Sequence, residues 1–136
     1  MFNWFLNDSN FTWSDRFKIC KFFLDPKNRW TQDKYVIEYE KKWKEYTESK
    51  YALMVSSGST ANSLIAQYAR HSKPDRNTVV FPSVTWQTSV SPWLNACFEP
   101  KFIDINLNDF SIDTEKLKEY LSTNHEKVNT VFVTSL

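Results

Sequence analysis

The stretch YALMVSSGSTANSLIAQYA, residues 51–69, decides the fold class of this chain. Its first five residues, 51–55, are a short apolar run that predicts a strand. The small polar residues 56–60 follow as a turn, and the apolar residues after them recur at helical spacing. That helical pattern is carried by Ala61, Leu64, Ile65 and Tyr68. The order strand, polar turn, helix then repeats along the rest of the chain.

Three further strands are predicted, at 78–81, 101–105 and 128–133, with helices between them at 86–97 and 113–121. Pro92 should lie in the first turns of the 86–97 helix or kink it, and Asp113 should cap the 113–121 helix. The apolar sides expected to face inward are Val90, Trp93, Leu94 and Cys97 on the first helix and Leu117, Tyr120 and Leu121 on the second. Strands alternating with helices predict the α/β class with a mainly parallel sheet.

Two helices are predicted before this region. The first should begin at Ser14 and Asp15, and the second should run over 33–48. Their apolar stripes are Phe17, Cys20, Phe23 and Leu24 in the first, and Val36, Tyr39, Trp43 and Tyr46 in the second. We expect an N-terminal helical and aromatic segment over 1–32 and, over 33–136, the front part of a larger domain. A parallel sheet needs both faces covered, and the last predicted strand has no helix after it.

Composition and charge exclude several classes of protein. With 41% hydrophobic and 24% charged residues the sequence is that of a globular domain rather than of a disordered one. The 17 basic and 16 acidic residues leave a net charge of +1, so no basic field predicts binding to nucleic acid or to an anionic membrane. Cys20 and Cys97 lie far apart without a CxxC pair, which favours free thiols. No signal peptide or membrane span is recognised, and we expect a cytoplasmic protein.

Gly58 is the only glycine among 136 residues, whereas average usage is about 7%. It lies where the polar turn enters a helix, and the first N–H groups of a helix have no intrahelical partner and carry the positive end of the dipole. Such a terminus binds anions, phosphate above all, and the hydroxyls of Ser59 and Thr60 add donors. The alternative is that Ser57 is only an N-cap and Gly58 only a tight turn. The segment is neither a P-loop nor a GxGxxG motif.

Four motifs in this order resemble the DegT/StrS family of pyridoxal-phosphate-dependent nucleotide-sugar aminotransferases. The motifs are Tyr39-Glu40, residues 57–60 (SGST), residues 82–86 (PSVTW) and residues 100–105 (PKFIDI). The resemblance covers about residue 29 to the end. It implies the front part of the large domain of a fold type I (aspartate aminotransferase-like) enzyme, with its sheet incomplete. It also implies pyridoxal 5′-phosphate as the cofactor.

The resemblance implies the following roles for individual residues. The backbone and hydroxyls of Ser59 and Thr60 would bind the cofactor phosphate, and Gly58 would give it clearance. The ring of Trp86 would stack on the pyridine ring, although an aromatic side chain at such a junction is ordinarily part of a core. Asp104 is expected to be structural and is not assigned to the cofactor. No catalytic residue and no metal ligand is assigned, because the family's lysine and its carboxylate partner come after the last strand present here.

The implied reaction is transfer of an amino group from an amino acid to a keto sugar on a nucleotide, with this portion inactive alone. Residues 57–62 (SGSTAN) also favour the family branch of nucleotide-sugar 3-dehydratases, which lack the covalent lysine. A non-catalytic truncated remnant is the third alternative. The full-length enzyme is expected to be a homodimer acting on a nucleotide-linked keto sugar and an amino-acid donor. The chain departs from the family pattern around Thr31 and Cys97, where the family often has glycine nearby.

Other residues that could carry chemistry have simpler explanations. His71 and His125 stand in polar loops without metal-ligand spacing, so surface positions are expected. The N-terminal aromatic residues are expected to pack on other parts of the protein or a second subunit, with stacking on a nucleotide base as the alternative. They are Phe2, Trp4, Phe5, Phe11 and Trp13.

Overall fold

Two units, dividing between Met54 and Val55, make up the computed structural model, which describes residues 11–31 and 33–134. The first unit holds helix α1 (Trp13–Leu24) and helix α2 (Lys34–Tyr46). The Thr12 hydroxyl accepts the Asp15 N–H at 3.2 Å, and the Asp15 carboxylate accepts the Thr12 N–H at 3.0 Å. This reciprocal capping box fixes the start of α1 beside the predicted start. Phe2, Trp4 and Phe5 of the predicted aromatic segment lie outside the described residues.

The second unit is a three-stranded sheet with helices on both faces. Its elements are α3 (Gly58–Ser72), β1 (Thr78–Pro82), α4 (Gln87–Asn95), β2 (Glu99–Ile103), α5 (Thr114–Asn124) and β3 (Val128–Val131). The strand order is β2-β1-β3, and both pairings are parallel. The α/β class with a parallel sheet, predicted from the alternation of strands and helices, is confirmed.

Strand β1 is the centre of the core, and all five of its residues are buried. Because side chains alternate along a strand, Val79 and Phe81 face one side and Val80 faces the other. The first side packs on α3 and α4, through residues that include Ala66, Ala69, Trp93 and Ala96. The second side packs on α5 through Leu117, Tyr120 and Leu121, the inward face predicted for that helix. Helices therefore cover opposite faces of the sheet, as a parallel sheet requires.

The predicted strand at 51–55 is wrong, because these residues form no strand. A strand needs a hydrogen-bonded neighbour, and no strand among the described residues pairs with this segment. The Tyr51 carbonyl accepts from the Ser49 hydroxyl at 3.0 Å, and the Met54 N–H donates to the Glu40 carboxylate at 2.8 Å. The acidic residue of the Tyr39-Glu40 motif thus fastens the end of the first unit to α2.

Helix α3 is present as predicted, but the large apolar residues of its helical pattern do not face the sheet. Leu64, Ile65 and Tyr68 are exposed, whereas Ala66 and Ala69 are buried against the sheet and α4. Small side chains let the helix axis approach its neighbours closely, so the alanine side packs inward. The large apolar side chains are left on the opposite side of the helix.

Helix α4 is shorter than predicted and ends before Cys97, which is exposed rather than inward-facing. Cys97 has a φ of 60°, in the left-handed region. The Cys97 N–H donates to Leu94 O and the Phe98 N–H to Trp93 O, both at 2.9 Å. This is the Schellman pattern that ends helices, and it normally places glycine where Cys97 stands. Leu94, also predicted inward, is half exposed.

The first and last residues of two strands differ from prediction. Strand β2 covers 99–103 rather than 101–105, because Ile105 has left the sheet and forms an antiparallel bridge with Ile112. Strand β3 ends at Val131 rather than at residue 133, although the Phe132 N–H still donates to Val80 O at 2.8 Å. Across the described residues, no helix combines the length and apolar character needed to cross a bilayer.

Candidate functional site

The first turn of α3 is built from hydroxyl groups. Ser57 is the N-cap, and its hydroxyl accepts the Thr60 N–H at 3.2 Å. The Thr60 hydroxyl lies 3.0 Å from the hydroxyls of both Ser56 and Ser57. The N-cap role that sequence analysis offered for Ser57 is therefore present. It satisfies one of the four N–H groups that a helix start leaves without partners.

Two backbone donors of this turn remain open. The N–H groups of Gly58 and Ser59 have no hydrogen-bond partner among the described residues, and both residues are exposed. The first turn carries no acidic side chain, so nothing there offsets the positive end of the helix dipole. The arrangement is suited to an anion that accepts from adjacent N–H groups.

Gly58 is not required by the protein's own packing. Its φ is not positive, so this position does not need glycine for a left-handed backbone. A Cβ built on Gly58 would meet no heavy atom within 4 Å. The absence of a side chain leaves open space in front of the unpaired N–H groups, which suits the close approach of a ligand to the backbone.

Trp86 is the N-cap residue of α4, and 72% of its surface is exposed. It is thus not a core residue, the alternative that an aromatic at a strand-to-helix junction raises. Trp93, two helical turns further along α4, takes the core position and is 1% exposed. The exposed ring of Trp86 is available to cover a planar ligand, since aromatic faces stack on one another.

A hydrogen bond joins the two helix starts. The Asn62 side-chain amide, in the second turn of α3, donates to the Thr88 carbonyl in the first turn of α4 at 3.3 Å. Because α4 begins after the carboxyl end of β1, this contact places the open turn of α3 at that same edge. Sequence analysis assigned no role to Asn62, because a contact over 26 positions leaves no periodic signal.

At the carboxyl edge of the sheet, residues of the 82–86 motif contact the ends of the other two strands. The Thr85 hydroxyl lies 2.8 Å from the Thr134 hydroxyl, which follows β3. The Ser83 N–H donates to Ile103 O, the last residue of β2, at 2.8 Å. From β1 the chain continues to β2 on one side of β1, and then crosses to β3 on the other side. The direction in which successive strands are added across the sheet therefore reverses here. Open α/β sheets bind ligands at such a switch point, outside the carboxyl ends of their strands.

Asp104 has the structural role that sequence analysis expected. Its carboxylate accepts a hydrogen bond from the Lys116 ammonium at 2.8 Å, and this contact, helped by the Ile105 N–H, lowers the pKa of Asp104 below its ordinary value. The same partner raises the pKa of Lys116. Both side chains are exposed, so the pair joins the end of β2 to α5 without forming a reactive site.

The histidines and cysteines form no second site in the part of the chain that the structure describes. His71 and His125 are exposed, as expected, and Cys20 and Cys97 are free and exposed. No group of three or more His, Cys, Asp or Glu side chains that could hold a metal ion occurs among residues 11–31 and 33–134.

Comparison with known proteins agrees with the resemblance of the motifs. The profile of the DegT/DnrJ/EryC1/StrS aminotransferase family matches residues 22–133. A GDP-4-keto-6-deoxy-D-mannose 3-dehydratase of Escherichia coli O55:H7 (strain CB9615 / EPEC) is 37% identical over 125 residues, which are 88% of this chain and 32% of that protein.

Solved structures give the same result. The E. coli GDP-4-keto-6-deoxy-D-mannose 3-dehydratase with bound hydrated PLP superposes with a TM-score of 0.74 and 36% identity, over 88% of this chain and 31% of that one. Helicobacter pylori PseC, an aminotransferase involved in pseudoaminic acid biosynthesis, superposes with a TM-score of 0.73 at 20% identity, over 88% of this chain and 30% of that one. The second likeness shows the fold alone.

The chain belongs to the DegT/DnrJ/EryC1/StrS aminotransferase family, and its fold is part of a fold type I enzyme. It spans about a third of the length of the relatives it matches.

Proposed function

We propose that this member of the DegT/DnrJ/EryC1/StrS family is the cofactor-phosphate portion of a pyridoxal-phosphate-dependent nucleotide-sugar 3-dehydratase. The observation that carries the proposal is the 37% identity to the E. coli dehydratase over 88% of the chain. The residues 57–62 (SGSTAN) favour the same branch. Aminotransfer, the main expectation from the motifs, has less support, because the H. pylori aminotransferase resembles this chain at only 20% identity.

The described residues fit pyridoxal 5′-phosphate. The open N–H groups of Gly58 and Ser59, with no acidic side chain beside them, would hold the phosphate. The Ser59 hydroxyl would add a donor. The Thr60 hydroxyl would add another by hydrogen-bonding to the phosphate instead of to a neighbouring serine. The exposed Trp86 ring would lie on the face of the pyridine ring.

Bound there, the cofactor would supply an electron sink for breaking bonds next to the substrate's reacting carbon. The residues of this chain do not move protons in that chemistry. They hold the phosphate end, fix the plane of the ring and exclude water from one of its faces. Such positioning keeps a reacting geometry in place, and small displacements lower the rate strongly.

The remaining parts of the assignment rest on the relatives. We propose that the complete enzyme acts on a GDP-linked 4-keto-6-deoxy sugar with an amino-acid co-substrate, and that it functions as a homodimer. The catalytic groups would come from outside the present residues, so this chain alone should show no turnover.

A chimera tests the proposal. Residues 1–134 of this chain would replace the matching third of the E. coli dehydratase, and a second chimera would place them in H. pylori PseC. We expect the first chimera to bind pyridoxal phosphate and to remove the 3-hydroxyl of GDP-4-keto-6-deoxy-D-mannose. A folded first chimera that binds the cofactor without turnover, beside an active second chimera, would contradict the dehydratase assignment in favour of aminotransfer.

A further inference from the structure

Helix α4 contains a carbonyl group that its own sequence leaves without a donor. In an α-helix the carbonyl of residue i accepts from the N–H of residue i+4. The residue four positions after Thr88 is Pro92, which has no N–H. Thr88 is partly buried, so the donor to its carbonyl has to come from a neighbouring group or from solvent.

The donor that replaces it comes from another element. The Asn62 side-chain amide donates to the Thr88 carbonyl at 3.3 Å, in partly buried surroundings. Asn62 lies in the second turn of α3, two residues after Thr60, and Thr88 lies two residues after Trp86. The bond therefore joins the two helices at positions next to the open phosphate-binding turn and next to the exposed aromatic ring.

We propose that Asn62 is a positioning residue that sets the spacing between the phosphate-binding turn and the ring of Trp86. This inference rests on the proposed function, because both ends of that spacing matter only for a ligand with a phosphate and a planar ring. Pro92 contributes to the same contact. Because Pro92 has no N–H to donate within the helix, the Thr88 carbonyl is available to the Asn62 amide.

The affinity that this spacing would add comes from holding one ligand at two points. A ligand that carries both groups gains from both elements only when their spacing matches its own length. Loss of the Asn62 bond frees α4 to shift relative to α3, while the N–H groups of Gly58 and Ser59 stay open. Binding of a bare phosphate should therefore survive, and the additional affinity from the ring should fall.

Calorimetric titration of the 136-residue chain with two probes separates these effects. The first probe is inorganic phosphate, and the second is pyridoxine 5′-phosphate, which lacks the aldehyde that would react with lysines. We expect the wild-type chain to bind the second probe more tightly. In Asn62→Leu that preference should fall roughly threefold to tenfold, the size expected for one hydrogen bond, with phosphate binding unchanged.

Two further readouts make the result specific. Asn95→Leu is the matched control, because Asn95 is an exposed residue of α4 with no side-chain hydrogen bond recorded among the described residues. It should keep the wild-type preference. The Trp86 indole N–H, followed by NMR, should shift on addition of pyridoxine 5′-phosphate in the wild type and in Asn95→Leu but not in Asn62→Leu. Asn62→Ala is the second variant if the leucine does not pack.

Each outcome bears on the positioning role of Asn62 or on the proposed cofactor site. If Asn62→Leu folds and keeps both the preference and the Trp86 shift, the positioning role is wrong while the proposed cofactor site stands. If Asn62→Leu loses phosphate binding as well, Asn62 maintains the turn itself, and the inference is again wrong. If the wild-type chain binds neither probe, the proposed function fails and takes this inference with it.

Discussion

Gly58 has helical backbone geometry and open space where a side chain would stand. The protein's packing therefore gives no reason for glycine at this position. The unpaired N–H groups of Gly58 and Ser59 give one, because a ligand that accepts from both must come close to the backbone. The rarity of glycine in the sequence points to this turn, and we propose that clearance for a ligand is the reason for glycine at this position.

Replacing Gly58 by alanine should separate stability from binding. We expect the free energy of unfolding of Gly58→Ala to be unchanged or raised, by up to about 1 kcal/mol, because alanine favours the helix. Affinity for pyridoxine 5′-phosphate should fall at least about tenfold, a loss of roughly 1.4 kcal/mol. Urea unfolding and calorimetry measure the two quantities, with Gln67→Ala on the exposed side of α3 as control. Unchanged affinity would show that clearance at Gly58 is not needed.

Cys97 is one of three described residues, with Glu48 and Phe110, that have left-handed backbone geometry without being glycine. We expect Cys97→Gly to raise the free energy of unfolding by about 1 kcal/mol, because the left-handed conformation costs a side-chain-bearing residue roughly that amount. Cys20→Gly, the same substitution at a helical position of α1, should lower it by up to about 1 kcal/mol. Urea unfolding compares the two, and a destabilised Cys97→Gly variant would contradict the account of this turn.

Helix α3 is held at its far end by a side chain from β3. The Asn129 amide donates to the carbonyls of Ala69, Lys73 and Arg76, at 3.2, 3.1 and 3.2 Å. The carbonyls of Ala69 and Lys73 also accept backbone N–H groups, from Lys73 at 3.1 Å and Arg76 at 3.2 Å, whereas no backbone donor to the Arg76 carbonyl is recorded among the described residues. One amide thus joins the end of α3 and the turn after it to the sheet.

Loss of this amide should cost more stability than loss of an exposed one. We expect Asn129→Leu to lower the free energy of unfolding by about 1–3 kcal/mol, because the partly buried Arg76 carbonyl loses its recorded donor. Asn95→Leu should change it by less than about 0.5 kcal/mol. Thermal and urea unfolding measure both. Equal stabilities of the two variants would mean that solvent replaces the Asn129 amide without cost.

The sequence predicted the helices and the three strands of the sheet well, because each carries its own apolar period and turn signals. It failed where the outcome depends on a distant partner. Residues 51–55 have the composition of a strand but no neighbour among the described strands. On α3, the apolar spacing predicted the helix but not which residues face the sheet, and these are Ala66 and Ala69.

In the candidate site too, features with a local sequence signal were predicted, and features that depend on distant contacts were not. Gly58, Ser59 and Thr60 were predicted because a turn entering a helix has a local signature and a resemblance supported it. The exposure of Trp86 could not be read from its neighbours in the sequence, since aromatic residues at such junctions are ordinarily buried. Asn62 was missed because its bond spans 26 positions. The missing donor at Pro92 was a signal that could have pointed to Thr88.

On the scale of the whole molecule, the second unit is a parallel sheet whose carboxyl edge gathers the predicted site. The open turn of α3, the start of α4 and the pair Thr85–Thr134 all lie at this edge. The chain spans about a third of its relatives, so the proposed activity depends on residues outside it. The contribution that we propose for this chain is to hold a phosphate and cover one face of a ring.

Amide mapping of the isotope-labelled chain tests that contribution most directly. Pyridoxine 5′-phosphate and unphosphorylated pyridoxine would be titrated in parallel, and the backbone N–H signals followed by NMR. We predict saturable shifts of the Gly58 and Ser59 amides and of the Trp86 indole with the phosphorylated probe, and no shift of the Gly58 and Ser59 amides with pyridoxine. Shifts that spare Gly58 and Ser59, or that pyridoxine reproduces, would contradict the assignment of this turn as the cofactor-phosphate site.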